Sequence, residues 1–138
     1  MQHSIYGTTI PIFREKKLPG FSITSNYRIK KYYEDNWEEV FQILNLHELA
    51  HLFGVPNPTR NDVIDVLGKH CIRADCVMGQ VNVYRQVLEK DGSTTFRFID
   101  ALEQTENILE RKERTGDVFC SACRNDLEKG KRKIASLL

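Results

Sequence analysis

The chain has 138 residues, 41% hydrophobic and 28% charged, which is the composition of one ordinary globular domain and excludes a disordered tail, a fibre or a repeat array. Its 20 basic and 19 acidic residues are spread along the chain and leave a net charge of +1, so no broad field points to nucleic acid or to an acidic membrane as partner. No apolar run reaches bilayer length and the amino end lacks a basic segment leading into an apolar one, so the expectation is a single cytoplasmic domain over residues 1–138.

The first elements expected are two short strands. "SIYGTTIPIF" and "GFSITSNYRI" are rich in β-branched and aromatic residues, and "KKLPG" between them is a turn signal. From Asp35 the period changes. Asp35 followed by Glu38 reads as a capping box, and Trp37, Val40, Phe41, Leu44, His47, Glu48 and His51 recur at helical spacing. Trp37 and Phe41 belong to the core of that reading. Gly54 fits the residue just past the helix, and Pro56 and Pro58 forbid its resumption. Residues 57–69 read as a loop with local structure, in which "DVIDVLG" is long enough for one helical turn.

After "CIRADCVMG", the segments "QVNVYRQVLEK" and "STTFRFID" alternate at period two around an Asp-Gly turn, which is a hairpin pattern. "IDALEQTENILERKER" returns to helical spacing, and "CSACRNDLEKGKRKIASLL" closes the chain as a shorter helix. His3 reads as a surface residue near the amino end. The fold class is therefore α+β: a short mixed sheet packed on a long helix, then a β-hairpin and carboxyl-terminal helices.

Chemistry concentrates in "LHELAHLFGVPN", residues 46–57. Positions four apart on a helix share a face, so His47 and His51 can aim ring nitrogens at one point, the bite a zinc ion needs. Glu48 is displaced around the helix, too far to ligate but near enough to hold a water as general base. The helix is otherwise apolar on both sides of the motif, so two buried imidazoles there need a partner, and one ion satisfies both. A catalytic zinc takes three protein ligands, so a third must come from elsewhere. Four cysteines, Cys71, Cys76, Cys120 and Cys123, have metal-ligand spacings; two disulfides are the alternative if the chain meets an oxidising compartment.

Taken together, "HELAHLFG", "HCIRADCVM" and "CSAC" resemble the archaemetzincin family of zinc metalloproteases, a small metzincin-like fold. The resemblance covers residues 47–54, 70–78 and 120–123. It implies His47, His51 and His70 as ligands of a catalytic zinc and Glu48 as the base. It further implies Met78 as the methionine of the Met-turn beneath that site, and Cys71, Cys76, Cys120 and Cys123 around a structural zinc. The implied function is hydrolysis of a peptide or protein substrate with two zinc ions per chain.

Two departures bear on that function. The family places its third histidine three residues past the glycine, where this chain has Asn57; fifteen residues separate Gly54 from His70. Closure entropy grows only with the logarithm of loop length, so the insertion can bulge out and return His70 to the metal. Asp62 or Asp65 within it is the alternative third ligand. The hairpin also lengthens the span from Met78 to Cys120, and the amino-terminal region is short for a peptide-aligning sheet. A zinc-stabilised binding or regulatory protein without a productive cleft is the competing hypothesis.

Overall fold

The computed structural model describes residues 2–3, 7–10, 21–24 and 27–138. Strands β1 (Gln2–His3), β2 (Gly7–Ile10) and β3 (Phe21–Thr24) form an antiparallel sheet in that order, with Thr8 opposite Ile23. Helix α1 (Tyr27–Tyr32) and one 3-10 turn (Glu34–Asn36) lead into α2 (Trp37–Leu52), on which β2 and β3 pack. A hairpin of β4 (Val63–Asp65) and β5 (Lys69–Cys71) follows, then a second of β6 (Val83–Leu88) and β7 (Thr94–Ile99). Helices α3 (Ala101–Thr115) and α4 (Ser121–Leu137) complete an α+β chain. No helix among the described residues is long and apolar enough to cross a membrane.

Several expectations need correction. The sheet on α2 is antiparallel rather than mixed among the described residues, as suits consecutive strands with short connections. Tyr27 to Ile29, expected as strand, lie in α1, and β1 precedes the first expected strand; the "KKLPG" turn and residues 4–6, 11–13 and 25–26 of the expected strands fall outside the described residues. His3 belongs to β1. Asp35 caps nothing, because it is consumed in the 3-10 turn and α2 begins at Trp37 without a side-chain cap. Residues 63–65 are a strand and not a helical turn: β-branched Val63 and Ile64 favour extension, and Leu67 (φ 53) and Gly68 (φ 107) reverse the chain. The last helix runs 17 residues, longer than α3 at 15.

The end of α2 follows the sequence closely. Gly54 takes the left-handed conformation, φ 77, and its N–H donates to the His51 carbonyl while the Val55 N–H donates to that of Ala50. This is a Schellman motif, and Val55 and Ala50, the positions whose apolar contact accompanies it, belong to one buried cluster. The main core lies between α2, α3 and α4 and includes Ala50, Val55, Val77, Met78, Ile108 and Phe119 together with all four cysteines. A second cluster gathers Ile29, Val40, Leu44 and Ala101, with Trp37 and Phe41 half-buried against it.

Candidate metal centres

Two clusters of donor atoms form. The ring nitrogens of His47, His51 and His70 lie within 4.8 Å of one another, as do the four sulfurs of Cys71, Cys76, Cys120 and Cys123. Both ligand sets expected from the sequence are therefore brought together, and His70 is the third histidine. Asp62 is engaged by the Arg60 guanidinium at 2.8 Å, and exposed Asp65 pairs with Lys69 at 3.0 Å. Asn57 serves the backbone instead, its Oδ1 accepting from the Thr59 N–H and hydroxyl in a tight turn.

The histidine tautomers follow from their partners. Nδ1 of His47 donates to the Val77 carbonyl at 2.7 Å, that of His51 to Val55 at 2.9 Å, and that of His70 to Gly68 at 3.0 Å. A carbonyl only accepts, so each neutral ring carries its proton on Nδ1 and turns a bare Nε2 lone pair inward. Nε2 of His47 and Nε2 of His51 then stand 3.1 Å apart with no proton between them. Two lone pairs at that distance repel unless a cation joins them. Nitrogens about 2.05 Å from a tetrahedral zinc lie about 3.3 Å apart, so the spacing fits one metal between them. Burial pushes all three imidazoles below their ordinary pKa, His70 to about 3, which keeps the rings neutral and competent as ligands at pH 7.

Each anchor comes from a distinct local structure. The Val55 carbonyl is delivered by the Schellman motif that ends α2, so the stop signal of the helix also orients its second histidine. The Gly68 carbonyl belongs to the β4–β5 turn, where Ile64 lies opposite His70 in the ladder. The inserted segment thus supplies the strand that places His70. The Val77 carbonyl adjoins Met78, which is fully buried in the core that holds Ala50 of the histidine helix. Glu48 is buried beside His47 and lies outside the set of converging donors.

The cysteine cluster has the chemistry of a closed tetrathiolate site. Sγ of Cys71 and Sγ of Cys120 are 3.9 Å apart, close to the ~3.8 Å between sulfurs on a tetrahedral zinc and far from the ~2.05 Å of a disulfide. All four cysteines are free and buried. The Cys120 N–H donates to Cys76 Sγ at 3.4 Å and the Cys123 N–H to Cys120 Sγ at 3.5 Å, at the amino end of α4, where the helix dipole favours thiolate. The Cys71 N–H donates to the Met78 carbonyl at 2.9 Å, so one backbone loop ties the two centres together.

That loop, residues 72–80, is gripped by residues outside the sequence motifs. Arg85 is 1% exposed, its Nε donating to the Gln80 carbonyl at 2.8 Å and its NH1 to Ile72 and Gln86 at 2.9 Å. Its NH2 reaches Gln104 Oε1 at 3.1 Å, and Gln104 Nε2 donates to the carbonyls of Cys76 and Gly79 at 2.9 and 3.1 Å. Burial lowers the guanidinium only to about 10, so it stays charged. Asn107 donates to the Ala74 carbonyl at 3.3 Å and Arg111 pairs with Asp75 at 3.2 Å, so Gln104, Asn107 and Arg111 form one stripe on α3 that holds the loop. Two signals point to them: Arg85 sits between Val83 and Val87 on the inward phase of its strand, and the α3 residues recur at i, i+3 and i+7.

No protein-family model matches this chain, and neither a curated protein nor a solved structure matches it.

Proposed function

We propose that the chain is a zinc metallopeptidase of metzincin type, in keeping with its archaemetzincin-like motifs. His47, His51 and His70 hold the catalytic zinc, Cys71, Cys76, Cys120 and Cys123 hold a structural one, and Met78 is the apolar floor beneath the catalytic site. The observation that carries the reading is the set of three inward Nε2 lone pairs, each fixed by an Nδ1–H to a backbone carbonyl, with a buried glutamate next to the first of them on the same helix. When bound, zinc lowers the pKa of water and polarises a carbonyl oxygen. Glu48 takes a proton from the attacking water and passes it to the leaving amine of a peptide or protein substrate. The four free cysteines suit a reducing compartment such as the cytoplasm.

The test compares wild type with Glu48→Gln, both zinc-loaded, on an unstructured protein and a mixed peptide pool. Wild type should cleave and Glu48→Gln should keep both metals and lose cleavage; undiminished cleavage would remove Glu48 from its role. One observation favours a second reading, a zinc-stabilised binding protein without a working cleft: Glu48, His47 and His70 are only 5%, 4% and 2% exposed. A fully metallated wild type that cleaves nothing in either substrate decides for that reading.

A further inference from the structure

The inserted segment between Gly54 and His70 is held by the guanidinium of Arg60, which uses all five of its N–H donors. Nε donates to Asp62 Oδ1 at 2.8 Å and NH2 to Asp62 Oδ2 at 2.8 Å, a two-pronged grip on one carboxylate. NH1 reaches Asp126 Oδ2 of α4 at 2.6 Å and Cys123 Sγ at 3.3 Å, and NH2 reaches Cys71 Sγ at 3.9 Å. Asp126 also accepts from the Asn57 N–H at 2.8 Å, so the two ends of the turn 57–60 meet on the same carboxylate. On the far side of the fork, the Asp62 carbonyl accepts from the Ile72 N–H at 3.0 Å, and Asp62 leads directly into β4.

These contacts form an unbroken connection between the two centres. It runs from the sulfurs of Cys71 and Cys123 through Arg60 to Asp62, from Asp62 into β4, and across the ladder from Ile64 to His70, whose ring is oriented by Gly68 of the same hairpin. We propose that Arg60 is a positioning residue that seats the inserted segment on the tetrathiolate centre, so that filling the four-cysteine site sets the position of His70 and raises the metal affinity of the three-histidine site. A metal that fixes the sulfurs of Cys71 and Cys123 fixes the acceptors that Arg60 meets at 3.9 and 3.3 Å, and the segment is seated with them. Lysine cannot replace the fork, because its ammonium offers three donors from one point.

The inference rests on the two-centre metal reading but not on peptide hydrolysis, and cobalt(II) binding tests it without an activity assay. Thiolate-to-cobalt charge transfer reports the cysteine site, and the weaker visible bands that remain report the histidine site. In wild type the histidine bands should fill with higher affinity once the cysteine site is occupied. In Arg60→Lys and Arg60→Gln the charge-transfer band should persist, while affinity at the histidine site falls about 10- to 100-fold, the usual scale for loss of an outer-sphere partner. Asp62→Asn leaves the sulfur contacts in place and should weaken the histidine site alone, which keeps the proposal open to refutation if the Arg60 variants do not fold. Histidine-site affinity unchanged in Arg60→Lys, or in Asp62→Asn, overturns the fastening role. A wild-type chain that binds cobalt at neither site overturns the metal reading itself, and absent hydrolysis with intact two-site binding touches neither.

Discussion

Replacing Arg85 with methionine tests how the loop beneath the histidines is held. The substitution fills a similar volume but removes four hydrogen bonds from a side chain that is 1% exposed. The Ile72 carbonyl keeps the Leu88 N–H at 2.8 Å, so its loss is tolerable. The Gln80 carbonyl and Gln104 Oε1 lose their charged donor inside the protein, at about 1–3 kcal/mol each. Against that stands the desolvation cost of burying a guanidinium, which methionine does not carry. The net expectation is a loss of about 2–4 kcal/mol, a large part of the 5–15 kcal/mol typical of a domain. With Gln104 released, the 76–79 turn loosens and with it the Val77 carbonyl that orients His47, so metal affinity at the histidine site should fall while the cysteine site stays filled. Urea denaturation of the zinc-loaded protein, together with zinc competition by a chelator, measures both effects. A variant as stable as wild type with equal zinc retention would refute the idea that Arg85 holds this loop.

Further expectations follow from particular groups. Gly54→Ala places a Cβ in open space at φ 77, so its cost is conformational alone, about 1 kcal/mol, seen as a fall of about 2–4 °C in Tm; a loss several times larger would mean that the His51 anchor at Val55 collapses with it. His70 has a folded pKa of about 3, below the ~6.5 of the unfolded chain, so the unfolded state takes up the proton first. Its contribution to stability is whole above about pH 6.5 and drains away as pH falls toward 3, amounting to about 2 kcal/mol lost by pH 5. Urea midpoints of the metal-free chain that stay flat from pH 7.5 to pH 5 would contradict a buried neutral imidazole there.

What the sequence made legible is local. The run from Trp37 to Gly54 carries its own period and its own stop, and the second hairpin its own alternation and Asp-Gly turn, so both are read without knowledge of their neighbours. His47, His51 and the cysteine pairs are legible for the same reason, since their spacing encodes the bite. Residues 63–65 carry no legible signal because three residues are too few to display a period, and their strand character comes from pairing with the segment that carries His70. Asp35 loses its capping role to a 3-10 turn built from its neighbours. Arg60, Arg85 and Gln104 act through carbonyls, carboxylates and sulfurs 11 to 66 positions away, apart from nearer partners such as Asp62, Gln80 and Gln86. Such distant partners leave no mark in a local pattern.

The most direct test of the account is the metal content of the purified chain, measured by native mass spectrometry beside a thiol titration. Two zinc ions per chain with no disulfide are expected, falling to one in His70→Ala with the cysteine site still filled. One zinc or none in the wild type, two retained in His70→Ala, or cysteines recovered as disulfides would contradict it.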